Sequence, residues 1–132
     1  MPTSRGTLSN KLNQANQTDF SRTQAESDSF VLPTSAGSAV LFDKSHFSAI
    51  AIHVDGAGGN TITFYGCTRT AFEAANGAPT AVALRDKAGA AITLDITLGA
   101  GIYNINPELF TVPMIAPVIN SGSVNAVLIF TK

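Results

Sequence analysis

Two histidines, one cysteine and a scattered set of carboxylates are the side chains of this chain that could do chemistry. His46 and His53 are seven residues apart in a segment that we interpret as one strand, so they point to opposite faces of it. His53 and Asp55 share a face and could supply two metal ligands, but the sequence indicates no third ligand. We therefore interpret both histidines as exposed or hydrogen-bonded strand residues and predict no metal site.

The single cysteine has one feature of a reactive thiol and lacks the other. Cys67 follows a strand and lies two positions before Arg69, whose positive charge can lower the pKa of a nearby thiol. The sequence indicates no histidine paired with it, and a lone cysteine usually packs as a small buried hydrophobe. We predict a structural role for Cys67, and a single cysteine excludes an intrachain disulfide.

A glycine-rich segment at residues 56–59 has the composition of a phosphate-binding loop. Such a loop requires the N-terminus of a helix to follow it, whereas residues 61–65 alternate in the manner of a strand. The segment is therefore interpreted as a hairpin turn. The carboxylates lack the spacing of a calcium-binding loop, although a calcium site built from turns stays an open alternative: Asp43, Asp55, Glu73, Asp86, Asp95 and Glu108. These observations predict a protein that is not an enzyme and carries no cofactor.

Charge is scarce throughout the 132 residues. Charged side chains make up 13% of the chain, against about 25% in a typical soluble domain, and the net charge is -1. No basic patch indicates nucleic-acid binding, and no apolar run is long enough to span a membrane. The N-terminus lacks the apolar stretch of a secretory signal, so we expect synthesis and folding in the cytoplasm. So few charges indicate that much of the surface meets other protein, most simply in a homo-oligomer.

The chain divides near residue 29 into a polar segment and a β domain. Fifteen of the first 29 residues are Ser, Thr, Asn or Gln, too polar a composition to offset the entropy of ordering. We predict a flexible N-terminal arm at 1–29, either a plain tail or a segment that orders on a neighbouring subunit. Four arm residues are the candidate partner contacts: Leu8, Leu12, Phe20 and Arg22.

Short alternating runs separated by turn residues fill the rest of the chain, 30–132. About eight strands with no helix of normal length predict an antiparallel β-sandwich. The run at 46–54 is apolar on both faces, which predicts a strand covered on both sides. Residues 67–79 are predicted to be a loop, and Asn106 with Pro107 predicts one helical turn. Two prolines at 113 and 117 predict that residues 111–119 form an edge or irregular strand.

Several short motifs resemble those of small β-sandwich proteins from tailed bacteriophage particles. They are Phe64-Tyr65-Gly66, a loop ending at Phe72-Glu73, Gly101-Ile102-Tyr103-Asn104-Ile105 and Ser121-Gly122-Ser123-Val124-Asn125-Ala126-Val127-Leu128. The resemblance covers about residues 49–132. This chain departs from that pattern at Thr68-Arg69-Thr70, where an Asp-Gly turn is common, which leaves the conformation of that loop open.

The resemblance implies a jelly-roll-like sandwich with an extended arm. It also implies a capsid decoration or cement protein, a homotrimer whose partner is the major capsid protein on the virion surface. The alternative is a tail, neck or fibre component with a host-surface or carbohydrate-binding role. The absence of tryptophan and the apolar strand positions of most phenylalanines disfavour a flat aromatic platform for sugars. The group offers no shared catalytic residues to transfer to this chain.

Overall fold

The computed structural model describes residues 24–56, 60–76 and 78–132, which form two antiparallel β-sheets. The first sheet consists, in spatial order, of β1 (Gln24–Glu26), β10 (Asn125–Thr131), β4 (Ala49–Val54) and β8 (Gly101–Asn104), with β2 (Phe30–Val31) also pairing with β10. The second sheet consists of β3 (Phe42–Asp43), β9 (Met114–Ile119), β5 (Thr61–Cys67) and β6 (Val82–Ala83), with β7 (Thr93–Asp95) also pairing with β5.

A single apolar core joins the two sheets. Alternate residues of each long strand point inward, and the core members from β4, β10, β5 and β9 are Ile50, Ile52, Val54, Ala126, Leu128, Phe130, Ile62, Phe64, Ile115 and Ile119. Each large side chain of this kind contributes about 1.5–3 kcal/mol when it leaves water. The alternation of apolar residues along each strand therefore gives each sheet one apolar face, and the two apolar faces pack against each other. This confirms the predicted antiparallel β-sandwich.

The apolar character of β4 on both faces does not mean that both faces are covered. Ile50, Ile52 and Val54 are buried, whereas Ala49 and His53 on the other face are exposed. The prediction of a strand covered on both sides is therefore wrong. The outer face of the first sheet has no layer above β4 among the described residues.

Strand β9 lies inside the second sheet although it carries a proline, and all of its residues are buried. Pro113 accepts a hydrogen bond from the segment beside β3, and the N–H of Ile119 donates to Pro33 O at 2.9 Å. Backbone groups alternate between the two sides of a strand, so residues 113, 117 and 119 all face away from β5. Because β3 ends before it reaches Pro117, the missing N–H costs no ladder hydrogen bond there. The prediction of an edge strand is wrong for this reason.

The segment predicted as a loop contains the helix α1 (Arg69–Ala74). The Thr68 side chain accepts a hydrogen bond from the Ala71 N–H at 3.1 Å, which satisfies one of the free donors at the helix start. Asn76 adopts φ 53°, the left-handed conformation that commonly follows a helix. The predicted helical turn at Asn106 is confirmed as a 3₁₀ helix over Pro107–Thr111.

The first described strand falls within the segment that the sequence assigns to the arm. Ala25 pairs with Phe130, and Ser27 exchanges hydrogen bonds with Leu128, its N–H donating to Leu128 O at 2.9 Å. The described sheet thus begins at Gln24. The arm boundary near residue 29 stays a prediction, and the four candidate contacts lie outside the described residues: Leu8, Leu12, Phe20 and Arg22.

Candidate interaction surface

The two histidines do not share a strand. His46 lies in the turn before β4, and His53 lies on the exposed face of β4. Asp55, the other candidate metal ligand, is occupied by Asn125: its Oδ1 accepts from the Asn125 N–H at 3.0 Å and its Oδ2 from the side-chain amide at 3.1 Å. This carboxylate fastens the start of β10 to the end of β4. The described residues contain no group of three or more potential metal ligands.

Asp43 and Arg69 form an ion pair at the surface of the second sheet. The guanidinium donates to Asp43 Oδ2 at 3.2 Å and to Ser45 Oγ at 3.3 Å, while the Ser45 N–H donates to Asp43 Oδ1 at 2.9 Å. Burial acts to raise the pKa of Asp43, but the hydrogen bonds from Ser45 and Arg69 outweigh it, and the pKa is lowered. Both partners are nearly half exposed, so the pair is a surface clamp between β3 and α1.

Cys67 lies at the end of β5 and is buried. Burial raises the pKa of its thiol, and the positive charge of Arg69 only partly opposes that shift. A raised pKa keeps the sulfur protonated at neutral pH, which is the reverse of what a nucleophilic thiolate needs. Lys44 follows β3 and is also buried, and burial lowers the pKa of its ammonium group.

The outer face of the first sheet is the most distinctive surface of the described molecule. The strand register places Val127, His53 and Ile102 side by side across β10, β4 and β8. The next row contains Ile129, Ala51 and Asn104. We call the set Val31, Ala49, Ala51, His53, Ile102, Val127 and Ile129 the outer apolar face. Val31 and Ile102 are 56% and 63% exposed. Two formal charges lie at the margins of this face, Glu26 beside Ile129 and Asp55 beside Asn125 at the end of β4.

The turn that precedes β8 carries an exposed leucine. Leu98 is 92% exposed and lies in the segment between β7 and β8. The turn is fixed by the Gly99 N–H, which donates to Ile96 O at 2.9 Å, and by the Tyr103 hydroxyl, which donates to Gly99 O at 2.6 Å. Gly99 has φ 88°, a conformation that favours glycine. A well-ordered turn therefore holds Leu98 in solvent beside β8.

Sequence reasoning missed the outer apolar face, although a signal for it was present. That signal is the apolar character of the second face of β4, which predicts a strand covered on both sides and does not specify what covers it. An uncharged apolar sheet face can equally be covered by another protein. The anchor residues inferred from the arm lie outside the described residues, so the structure does not bring them together with this face.

Comparisons with known proteins give little further information. No protein-family profile and no curated protein matches this sequence. Among solved structures, the SPBc2 prophage-derived protein YomS aligns with 84% of this chain and 96% of its own, at 18% identity and a TM-score of 0.39. A likeness of that strength carries no conclusion about function. Among the described residues, no helix has both the length and the apolar character to cross a membrane.

Proposed function

We propose that this protein is a structural component of a bacteriophage virion, a decoration or cement protein that binds the outside of the capsid. The observation that carries the proposal is the outer apolar face, a partly exposed apolar sheet surface with formal charges only at its margins, on a chain with few charges overall. Contiguous exposed apolar surface marks interaction sites on soluble proteins. The motif resemblance to sandwich proteins of phage particles supplies the biological context.

The mechanism we propose is adhesive. The outer apolar face would lie against neighbouring copies of the major capsid protein, burying Val127 and Ile129 and excluding water from the contact. A ligand that binds the assembled state and not the free subunits stabilises the assembled state by mass action. Such a protein needs a rigid scaffold, and the sandwich with its single core provides one.

A carbohydrate-binding role as a tail, neck or fibre component receives less support from the described surface. Sugar sites commonly present exposed aromatic rings, and the outer apolar face contains none. Tyr103 is half-buried on the other side of β8, and its hydroxyl group is engaged with Gly99 O at 2.6 Å. Binding to capsids and binding to glycans distinguish this role from the decoration role.

The test compares two exposed valines on opposite sheets. Val31→Lys places a charge on the outer apolar face, and Val82→Lys places the same charge on β6 of the second sheet, where Val82 is 59% exposed. Each protein is sedimented with capsids assembled without it. We expect Val31→Lys to weaken binding by at least about tenfold, since a buried unpaired charge is strongly unfavourable, and Val82→Lys to bind as the wild type does.

Equal binding by both variants would show that the outer apolar face is not the contact surface. Absence of wild-type binding to any capsid, together with retention on a glycan array, would replace the decoration role with the fibre role. Circular dichroism and thermal melting of each variant check that both proteins are folded before binding is compared.

A further inference from the structure

Strand β8 forms one edge of the first sheet among the described residues. The Ile105 N–H donates to Ile50 O at 3.0 Å, which fixes the direction of the backbone groups in the strand before it. Because these groups alternate from one residue to the next, Gly101 and Tyr103 face β4, while the N–H and C=O of Ile102 and Asn104 point away from the sheet. No described strand pairs with that edge.

The edge of β8 lacks the features with which proteins usually prevent edge-to-edge pairing. Charged side chains and prolines are the common protections. Among the other described strands that pair with a single strand, β1, β3 and β7 include an acidic residue: Glu26, Asp43 and Asp95. β2 and β6 lack a charge but are only two residues long, and short edge strands are themselves a protection. β8 is four residues long and has the sequence Gly-Ile-Tyr-Asn, without charge or proline. Its Ile102 is exposed, as is Leu98, which precedes the strand in the chain.

The hydrogen-bonding pattern of this edge is complementary to itself. If two copies approach antiparallel with a two-fold axis at Tyr103, Ile102 of one copy lies opposite Asn104 of the other. Both residues have outward N–H and C=O groups, so each pair can exchange both backbone hydrogen bonds, as in a regular antiparallel ladder. Each residue meets its counterpart in the reciprocal way that an isologous contact requires.

We propose that the protein forms a two-fold dimer through β8, which joins the first sheets of two copies into one continuous sheet. The same arrangement extends the outer apolar face across both copies. The occupant of the edge is a second copy of this chain, because the outward groups match themselves in register. This proposal differs from the trimer that the motif resemblance implies, and it does not depend on the capsid-binding function.

The main test uses proline at two edges of the same sheet. Asn104→Pro removes an outward N–H that no described intrachain hydrogen bond uses, and the preceding residue is already extended, as proline requires. The matched control is Glu26→Pro, at the outward-facing position of β1 on the opposite edge. The mass of each full-length protein is measured by analytical ultracentrifugation over a range of concentrations.

The wild type and Glu26→Pro should sediment as dimers of the 13.7 kDa chain. Asn104→Pro should dissociate with a constant raised by about ten- to a hundredfold, since it removes one donor from each copy. A wild-type monomer at all concentrations, a trimer, or a dimer that Asn104→Pro leaves unchanged would each overturn the proposal. Near-ultraviolet circular dichroism shows whether Asn104→Pro keeps the native fold, and Ile102→Lys provides a second edge variant if it does not.

Cysteine cross-linking tests the register directly. In a Cys67→Ser background, Ile102→Cys is mixed with Asn104→Cys under mild oxidation. Directly opposed residues in a hydrogen-bonded pair have Cα atoms about 5.5 Å apart, within the range of about 4.4–6.8 Å that a disulfide spans. The mixture should cross-link and neither variant should do so alone. This register would be refuted if Ile102→Cys formed a disulfide with itself, or if neither the mixture nor the single variants cross-linked.

Discussion

Gly66 lies where β5 pairs with β9, and it leaves no room for a side chain. A Cβ atom at this position would clash with the backbone oxygen of Met114 and approach Leu84 Cδ2 to 3.1 Å. The glycine is required here by the close approach of a neighbouring backbone, and its own dihedral angles do not demand it.

Gly66→Ala should therefore lower the free energy of unfolding by about 1–3 kcal/mol, the usual cost of overpacking a core. Urea denaturation followed by circular dichroism measures the change. Gly37→Ala is the matched control, because nothing lies within 4 Å of its added Cβ, and its effect should stay within about 0.5 kcal/mol. Similar losses for both variants would contradict a steric origin.

The ion pair between Asp43 and Arg69 predicts a pH dependence of stability. The folded pKa of Asp43 is lowered from its ordinary 3.8, so the folded state favours the charged carboxylate. Its contribution is present above the ordinary pKa and is lost as the pH falls through the folded pKa. Asp43→Asn should cost no more than about 1 kcal/mol at pH 7, because both partners are exposed and screened by solvent.

The measurement for this prediction is the difference in unfolding free energy between wild type and Asp43→Asn at several pH values. The difference should be constant from pH 7 to about pH 5 and should shrink as the pH falls below the ordinary pKa of 3.8 and through the lowered pKa of the folded protein. A difference that persists unchanged at the lowest pH would show that Asp43 acts through packing and not through its charge.

Helix α1 lies in a segment that was predicted to form a loop, although residues at both of its ends are typical of helix termini. Thr68 occupies the N-cap and Asn76 follows the C-terminus in the left-handed conformation. A helix of six residues has no room for an amphipathic period, so periodicity could not reveal it, whereas the two terminal residues could.

Thr68→Ala should destabilise the protein by about 0.5–2 kcal/mol, because the Ala71 N–H loses its acceptor. Thr68→Ser keeps the hydroxyl oxygen and should recover most of that loss, which separates the cap from side-chain packing. Thermal unfolding of the three proteins gives the comparison. Equal melting temperatures for Thr68→Ala and wild type would show that the cap has no net effect.

The edge elements were the hardest to assign from sequence. Pro117 is typical of an edge or irregular strand, but its imino nitrogen lies on the side of β9 that faces away from β5, beyond the end of β3. Leu98 continued the alternation of Ile92, Leu94 and Ile96, yet β7 ends at Asp95 and the turn at Gly99 directs Leu98 outward. For Pro117 the deciding contacts come from segments distant in sequence, whereas the turn that directs Leu98 outward is local.

At the scale of the whole molecule, the two sheets define how much of the chain the domain needs. All described strand pairs lie between Gln24 and Thr131. Ser27 donates its N–H to Leu128 O at 2.9 Å, and its Oγ accepts the Leu128 N–H at 2.9 Å. These contacts fasten β1 and the segment after it to β10.

Deletion of residues 1–23 should leave the sandwich folded, whereas deletion of residues 1–29 should destabilise it further by about 1–3 kcal/mol. The reason is that the longer deletion removes β1 and the two hydrogen bonds of Ser27, each of which contributes about 0.5–1.5 kcal/mol. Urea denaturation of the two truncated proteins measures the difference. Equal stability would place the start of the cooperative unit after residue 29, at the boundary predicted from the sequence.

The sequence by itself determined the all-β class. Alternate side chains of an extended strand point to opposite faces, so alternating apolar and polar residues produce one buried face and one exposed face without any information from distant residues. The sequence also indicated the helical turn at Asn106, whose side chain accepts from the Glu108 N–H at 2.9 Å. Only the tertiary structure decided which apolar faces are covered. β4 and β9 are both apolar on two faces, but β9 is buried throughout and β4 is open on one side. That difference depends on which strands and segments pack nearby, and such pairings join residues too far apart for local patterns to specify.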